Sequence, residues 1–101
     1  MEDKKKQQLN VEIPSDKAEG TYSNLVMITH SPAEFILDFT KMMPGVPKAI
    51  VQSRIIMTPH HAKMFLHALQ ENIKMFENQF GEIKVPGKMN NKQFGFSGPT
   101  N

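Results

Sequence analysis

Residues 58–81 read TPHHAKMFLHALQENIKMFENQFG, and both ends of a long helix are marked in that stretch. Thr58 is a sound N-cap, because its hydroxyl can accept from the first free amides of a helix. Pro59 follows at the first helical position, where its missing N–H costs nothing and its fixed φ suits the turn. Helix formers then run to Phe80 without a further Pro or any Gly, and Gly81 is placed to end the helix.

The apolar residues of this helix repeat. Ala62, Leu66, Leu69, Ile73, Phe76 and Phe80 are spaced 4, 3, 4, 3 and 4 apart, an unbroken seam with Leu66, Ile73 and Phe80 at a and Ala62, Leu69 and Phe76 at d. Phe65, Met64 and Met75 widen it. One reading is a face that covers the protein's own sheet. The other is that part of it packs against the same helix of a second chain. A helix wet only along Lys63, Gln70, Glu77 and Asn78 has room for two apolar neighbours.

Upstream of the helix the period changes to two. Leu9, Val11 and Ile13 alternate with Asn10, Glu12 and Pro14, which suits a half-buried strand. Pro14–Gly20 reads as a turn. Tyr22–Thr29 and Ala49–Met57 are strand-like, with β-branched Val26, Ile28, Thr29, Val51, Ile55 and Ile56. Ser31–Met43 supports two readings. Ser31-Pro32-Ala33-Glu34 is a capping-box pattern that would begin a helix. Phe35, Leu37 and Phe39 alternate with Ile36, Asp38 and Thr40, as in a strand returning from a tight turn at His30–Glu34. The strand is preferred because it keeps the connections short, with Pro44-Gly45-Val46-Pro47 making the next turn. The expected fold is α+β, an antiparallel sheet of about four strands followed by one long C-terminal helix (β-β-β-β-α). Residues 1–7 read as a disordered arm, 8–83 as one domain and 84–101 as a flexible tail.

Composition narrows the function classes. The chain has 101 residues and no cysteine, which removes disulfide frameworks, thiolate zinc sites and cysteine nucleophiles and points to a reducing, cytoplasmic setting. The opening Met-Glu-Asp-Lys-Lys-Lys has no apolar run behind it and does not read as a signal peptide. The longest apolar runs, Leu25–Ile28 and Phe35–Leu37, fall far short of the ~20 residues of a membrane span. Net charge is +2, and five of the twelve basic residues are Lys4, Lys5, Lys6, Lys88 and Lys92 in the two tails. The folded part is near neutral, so nucleic acid is not the first partner to expect.

Side chains with chemical potential are few. His60 and His67 lie two turns apart on one helix face, about 10 Å along the axis, too far to share an ion without other ligands. Asp38 and Arg54 fall on the more polar face of adjacent strands, where a cross-strand ion pair is the plain expectation. His30-Ser31 resembles a base and nucleophile only by residue type, since no nucleophile elbow surrounds Ser31. No phosphate loop, dinucleotide fingerprint or zinc-protease motif occurs. Neither cofactor nor metal is implied, and an enzyme is not indicated. Met42, Met43, Met57, Met64, Met75 and Met89 offer either core filler or a soft, adaptable binding surface.

The blocks Tyr22-Ser23-Asn24, Thr29-His30-Ser31-Pro32-Ala33-Glu34-Phe35-Ile36-Leu37-Asp38-Phe39 and Arg54-Ile55-Ile56-Met57-Thr58-Pro59-His60-His61-Ala62-Lys63 resemble a small prokaryotic family known as domain of unknown function 3467. The resemblance covers about residues 20–83 and implies no activity, because the family has none assigned. The β-β-β-β-α order is also similar, in topology alone, to the export chaperone SecB, an analogy without a shared motif.

Two functions are consistent with these features. The first is a non-catalytic homo-oligomer, dimer or tetramer, that self-associates through Leu66, Leu69, Ile73, Phe76 and Phe80 and binds another polypeptide in a chaperone-like way. The alternative is a nucleic-acid-associated accessory protein that uses the lysine-rich tails.

Overall fold

The computed structural model of the chain describes residues 8–86. A single 3₁₀ turn, Ser15–Lys17, precedes three strands, β1 (Leu25–His30), β2 (Phe35–Lys41) and β3 (Ile50–Met57), and one helix, α1 (Pro59–Phe80). The strands form one antiparallel sheet in chain order, with β2 at the centre. The α+β class, the antiparallel sheet and the closing helix are as expected from the sequence.

The ambiguous segment is a strand. Ser31 does act as a cap, but of a turn: its hydroxyl accepts from the amides of Ala33 (3.1 Å) and Glu34 (3.3 Å), while its own amide donates to the Glu34 carbonyl at 2.9 Å. The capping pattern therefore closes the β1–β2 hairpin instead of starting a helix. The β2–β3 connection contains a β-turn in which the Val46 amide donates to the Met43 carbonyl at 3.1 Å. Pro44 and Gly45, the latter at φ 78°, take the central positions of a type II turn, where a positive φ favours glycine.

Two expectations are corrected. Leu9, Val11 and Ile13 do not form a fourth strand within the chain; residues 8–14 carry neither helix nor strand. Alternation supplies a face, but a strand also needs a neighbouring backbone, and this segment has none in its own sheet. The first true strand begins at Leu25 rather than Tyr22, because Ser23 and Asn24 serve another purpose. The Asn24 side chain mimics a peptide group: Nδ2 donates to the Met42 carbonyl and Oδ1 accepts from the Met42 amide, both at 2.9 Å. The Asn24 amide and the Ser23 hydroxyl both donate to the Thr40 carbonyl at 3.0 Å. Together they clamp the start of β1 to the end of β2.

The register assigns two faces to the sheet. Ile28, Leu37 and Ile55 form one cross-strand row and His30, Phe35 and Met57 another, on the side that meets α1. Met27, Asp38 and Arg54 form a row on the opposite side. Helix α1 has the bounds read from sequence. The Thr58 hydroxyl accepts from the His61 amide at 3.2 Å. Gly81 stops the helix at φ 103°, with its amide on the Glu77 carbonyl at 2.9 Å.

The core of the single chain is very small. Leu37 is the one buried hydrophobic among the described residues, with Asp38 and Thr40 the buried polar ones, and no residue of α1 is buried. Such a core is small for a domain of this size, so covering further apolar surface would add to its stability.

Candidate functional site

Helix α1 follows β3 after Thr58 alone, so its first half is held over the sheet. A cleft of about 360 Å³ lies between them, lined by Ile28, Phe35 and Leu37 from the sheet and Ala62, Leu66 and Leu69 from the helix. Its wall is apolar apart from Lys63. Leu69 is the last helix residue on it, and the remaining seam residues, Ile73, Phe76 and Phe80, continue past the sheet.

Five of the six seam residues, all but Ala62, remain open to solvent. Leu66 and Leu69 are 45% exposed, Ile73 39%, Phe76 47% and Phe80 66%. The Phe76 and Phe80 rings lie against each other with centroids 4.9 Å apart, which orders the end of the seam without covering it. Phe65, Met64 and Met75 are exposed as well. The seam read from sequence is thus one continuous face whose first half fronts the sheet loosely and whose second half is exposed beyond the cleft. One polar position differs from the expected wet stripe. Glu77 is half-buried, because its Oε2 accepts from the Ile83 amide at 3.0 Å and folds the segment after the helix back onto it.

The opposite sheet face carries the one charged pair among the described residues. Arg54 donates to Asp38 through Nε at 2.7 Å and through a terminal nitrogen at 2.9 Å, a bidentate fork. These charge-assisted bonds hold the Asp38 carboxyl below the usual carboxylate range against the opposing effect of desolvation, and raise Arg54 in turn. The pair is the cross-strand contact expected from the sequence; it occupies both Asp38 oxygens and two of the three Arg54 nitrogens.

The histidines are scattered. The His30 ring stacks on Phe35 at 5.3 Å, and the Thr58 hydroxyl lies 2.8 Å from His61 Nδ1. Ser31 is occupied with its turn. Among the described residues no three His, Asp or Glu side chains converge to hold a metal ion. No helix among them is long and apolar enough to cross a membrane. Met42 and Met43 line a second, shallower hollow with Asn24 and the turn Pro44–Pro47. Lys4, Lys5, Lys6, Met89 and the tail lysines Lys88 and Lys92 lie outside the described residues.

Over residues 1–85 the chain matches the family described as Protein of unknown function (DUF3467). It belongs to that family. The match extends past the blocks that carried the resemblance and takes in the alternating segment Leu9–Ile13. No curated protein and no solved structure matches the chain.

Proposed function

We propose that this DUF3467 chain is a non-catalytic, cytoplasmic homo-oligomer, a dimer or tetramer, that presents apolar surface to another polypeptide. One observation carries the reading: Leu66, Leu69, Ile73, Phe76 and Phe80 form a continuous helical face left 39–66% exposed. Large side chains bury on the order of 150–250 Å² each, so these five hold roughly 500 Å² of uncovered apolar surface. That is well over half of the ~800 Å² that each partner contributes to a standard stable interface. A second copy of the same face is the natural cover, because a self-complementary seam closes under two-fold symmetry. The Met42–Met43 hollow, which no seam residue lines, would remain open for a client segment, as adaptable methionine surfaces allow.

The test is solution mass by light scattering at two salt concentrations, for the natural chain and for Leu69→Asp. A dimer or tetramer that is indifferent to salt and is lost in Leu69→Asp supports the reading. An unchanged mass in the variant overturns the seam. Client binding is then read by whether the oligomer holds a reduced, carboxymethylated protein that stays unfolded.

A further inference from the structure

We propose that Leu9–Ile13 of one chain adds as an edge strand to β3 of a second copy, antiparallel, with Val11 opposite Ile55. The inference rests on the homo-oligomer reading and specifies how the copies are joined.

The donor is a strand without a sheet. Leu9, Val11 and Ile13 are 87%, 77% and 69% exposed, and among the described residues no backbone hydrogen bond involves residues 8–13. Five residues with three apolar side chains on one side are costly to leave in water, and their backbone is free to pair. The acceptor is the β3 edge. Its outward row of amides and carbonyls has no backbone partner among the described residues, and Ile55 (41%) and Ile56 (57%) are exposed on its two faces. A free, apolar edge strand is a template for another chain.

Length and charge select the register. The β2–β3 ladder shifts between Phe39 and Thr40, passing over Gln52, so the regular part of β3 is Ser53–Met57, five residues like Leu9–Ile13. Setting Val11 opposite Ile55 places Leu9, Val11 and Ile13 on the face of Ile55 and Met57, towards α1. In the antiparallel direction Glu12 then falls opposite Arg54, whose side chain is 60% exposed and whose fork leaves one nitrogen unused. In the parallel direction Glu12 would meet Ile56 instead. Exchange in both directions closes a two-fold dimer in which each sheet has four strands.

Because the chain has no cysteine, every disulfide formed is an introduced one. Asn10→Cys and Ile56→Cys are made in separate full-length chains, one carrying a size tag, then folded together and mildly oxidised. The register sets these positions opposite each other, within the narrow Cα range a disulfide tolerates. The expected result is a shift from monomer bands to a mixed, disulfide-linked heterodimer that reverts with reductant. Asn10→Cys mixed with Thr29→Cys, the same row on the β1 edge, should remain as monomer bands. Linkage to Thr29→Cys instead, or no linkage while the mass is dimeric, overturns this inference and leaves the homo-oligomer reading intact. A monomeric mass overturns both. Amide exchange on the unaltered chain is a second readout: slow exchange within residues 9–13 that is lost on dilution supports the added strand, and fast exchange at dimeric concentration refutes it.

Discussion

Ile73 is the most informative position on the helix. It lies one turn beyond Leu69, the last helix residue to line the sheet cleft, so its substitution leaves that cleft intact. Its side chain is 39% exposed. Full burial of an isoleucine is worth about 1.5–3 kcal/mol, so covering the exposed share contributes about 1 kcal/mol per copy and about 2 kcal/mol per two-fold dimer. Ile73→Ala should therefore raise the dimer Kd about 25-fold. The same change improves helix propensity by a few tenths of a kcal/mol, which offsets part of the packing lost within the chain. A shift in Kd larger than the shift in the dissociated chain's stability separates an interface effect from a folding effect. Ile73→Asp places a carboxylate in the seam, where desolvation costs several kcal/mol per ion, and should abolish the dimer at micromolar concentration. Sedimentation equilibrium over a concentration series, with thermal melts of each variant, reads both quantities. A dimer that survives Ile73→Asp with unchanged Kd would refute the seam as an interface.

The remaining predictions concern the sheet and the end of the helix. Asp38 is held below its usual range in the fold, so its pairing with Arg54 stabilises the sheet above the unfolded carboxylate value near ~3.9 and is lost as pH falls through the lowered folded value. Asp38→Asn should then melt earlier than the natural chain at pH 7, with the gap closing towards pH 3; a gap independent of pH would refute the pair's role. Gly81→Ala forces a side chain onto φ 103° and ψ 166°, a region that is essentially glycine's alone, and should cost about 1–3 kcal/mol in denaturant unfolding. Beyond its chain neighbours no heavy atom lies within 4 Å of the position of the added Cβ, so the cost is the backbone's, and Gly81→Asn should not restore stability, because asparagine is tolerated in the left-handed helical region and not at this ψ.

Legibility in the sequence followed the range of each interaction. The helix was readable to the residue, because Thr58, Pro59 and Gly81 act within a turn of themselves. The Asp38–Arg54 pair was readable because one register brings together residues on adjacent strands. The Asn24 clamp was not: an asparagine that replaces a peptide group across to Met42 leaves no periodic trace. Ser31 showed a cap but not what it capped, since a hydroxyl accepting from amides two and three residues on serves a turn as well as a helix. The segment at Leu9–Ile13 was legible only in part, for alternation records that a side is to be covered but not which backbone will lie alongside. The seam was legible as a pattern, while the exposure of its second half, Ile73, Phe76 and Phe80, appeared only in the fold.

The order β1-β2-β3 with α1 directly after β3 has a kinetic consequence. Each strand pairs with its neighbour in the chain, so loop closure is short throughout and the sheet can assemble quickly as a unimolecular event. Burial of the helix face would come afterwards and at a rate set by encounter between chains. Assembly of this kind separates in time the step that defines the shape from the step that stabilises it. In the interval between them the exposed helix is open to whichever polypeptide arrives first.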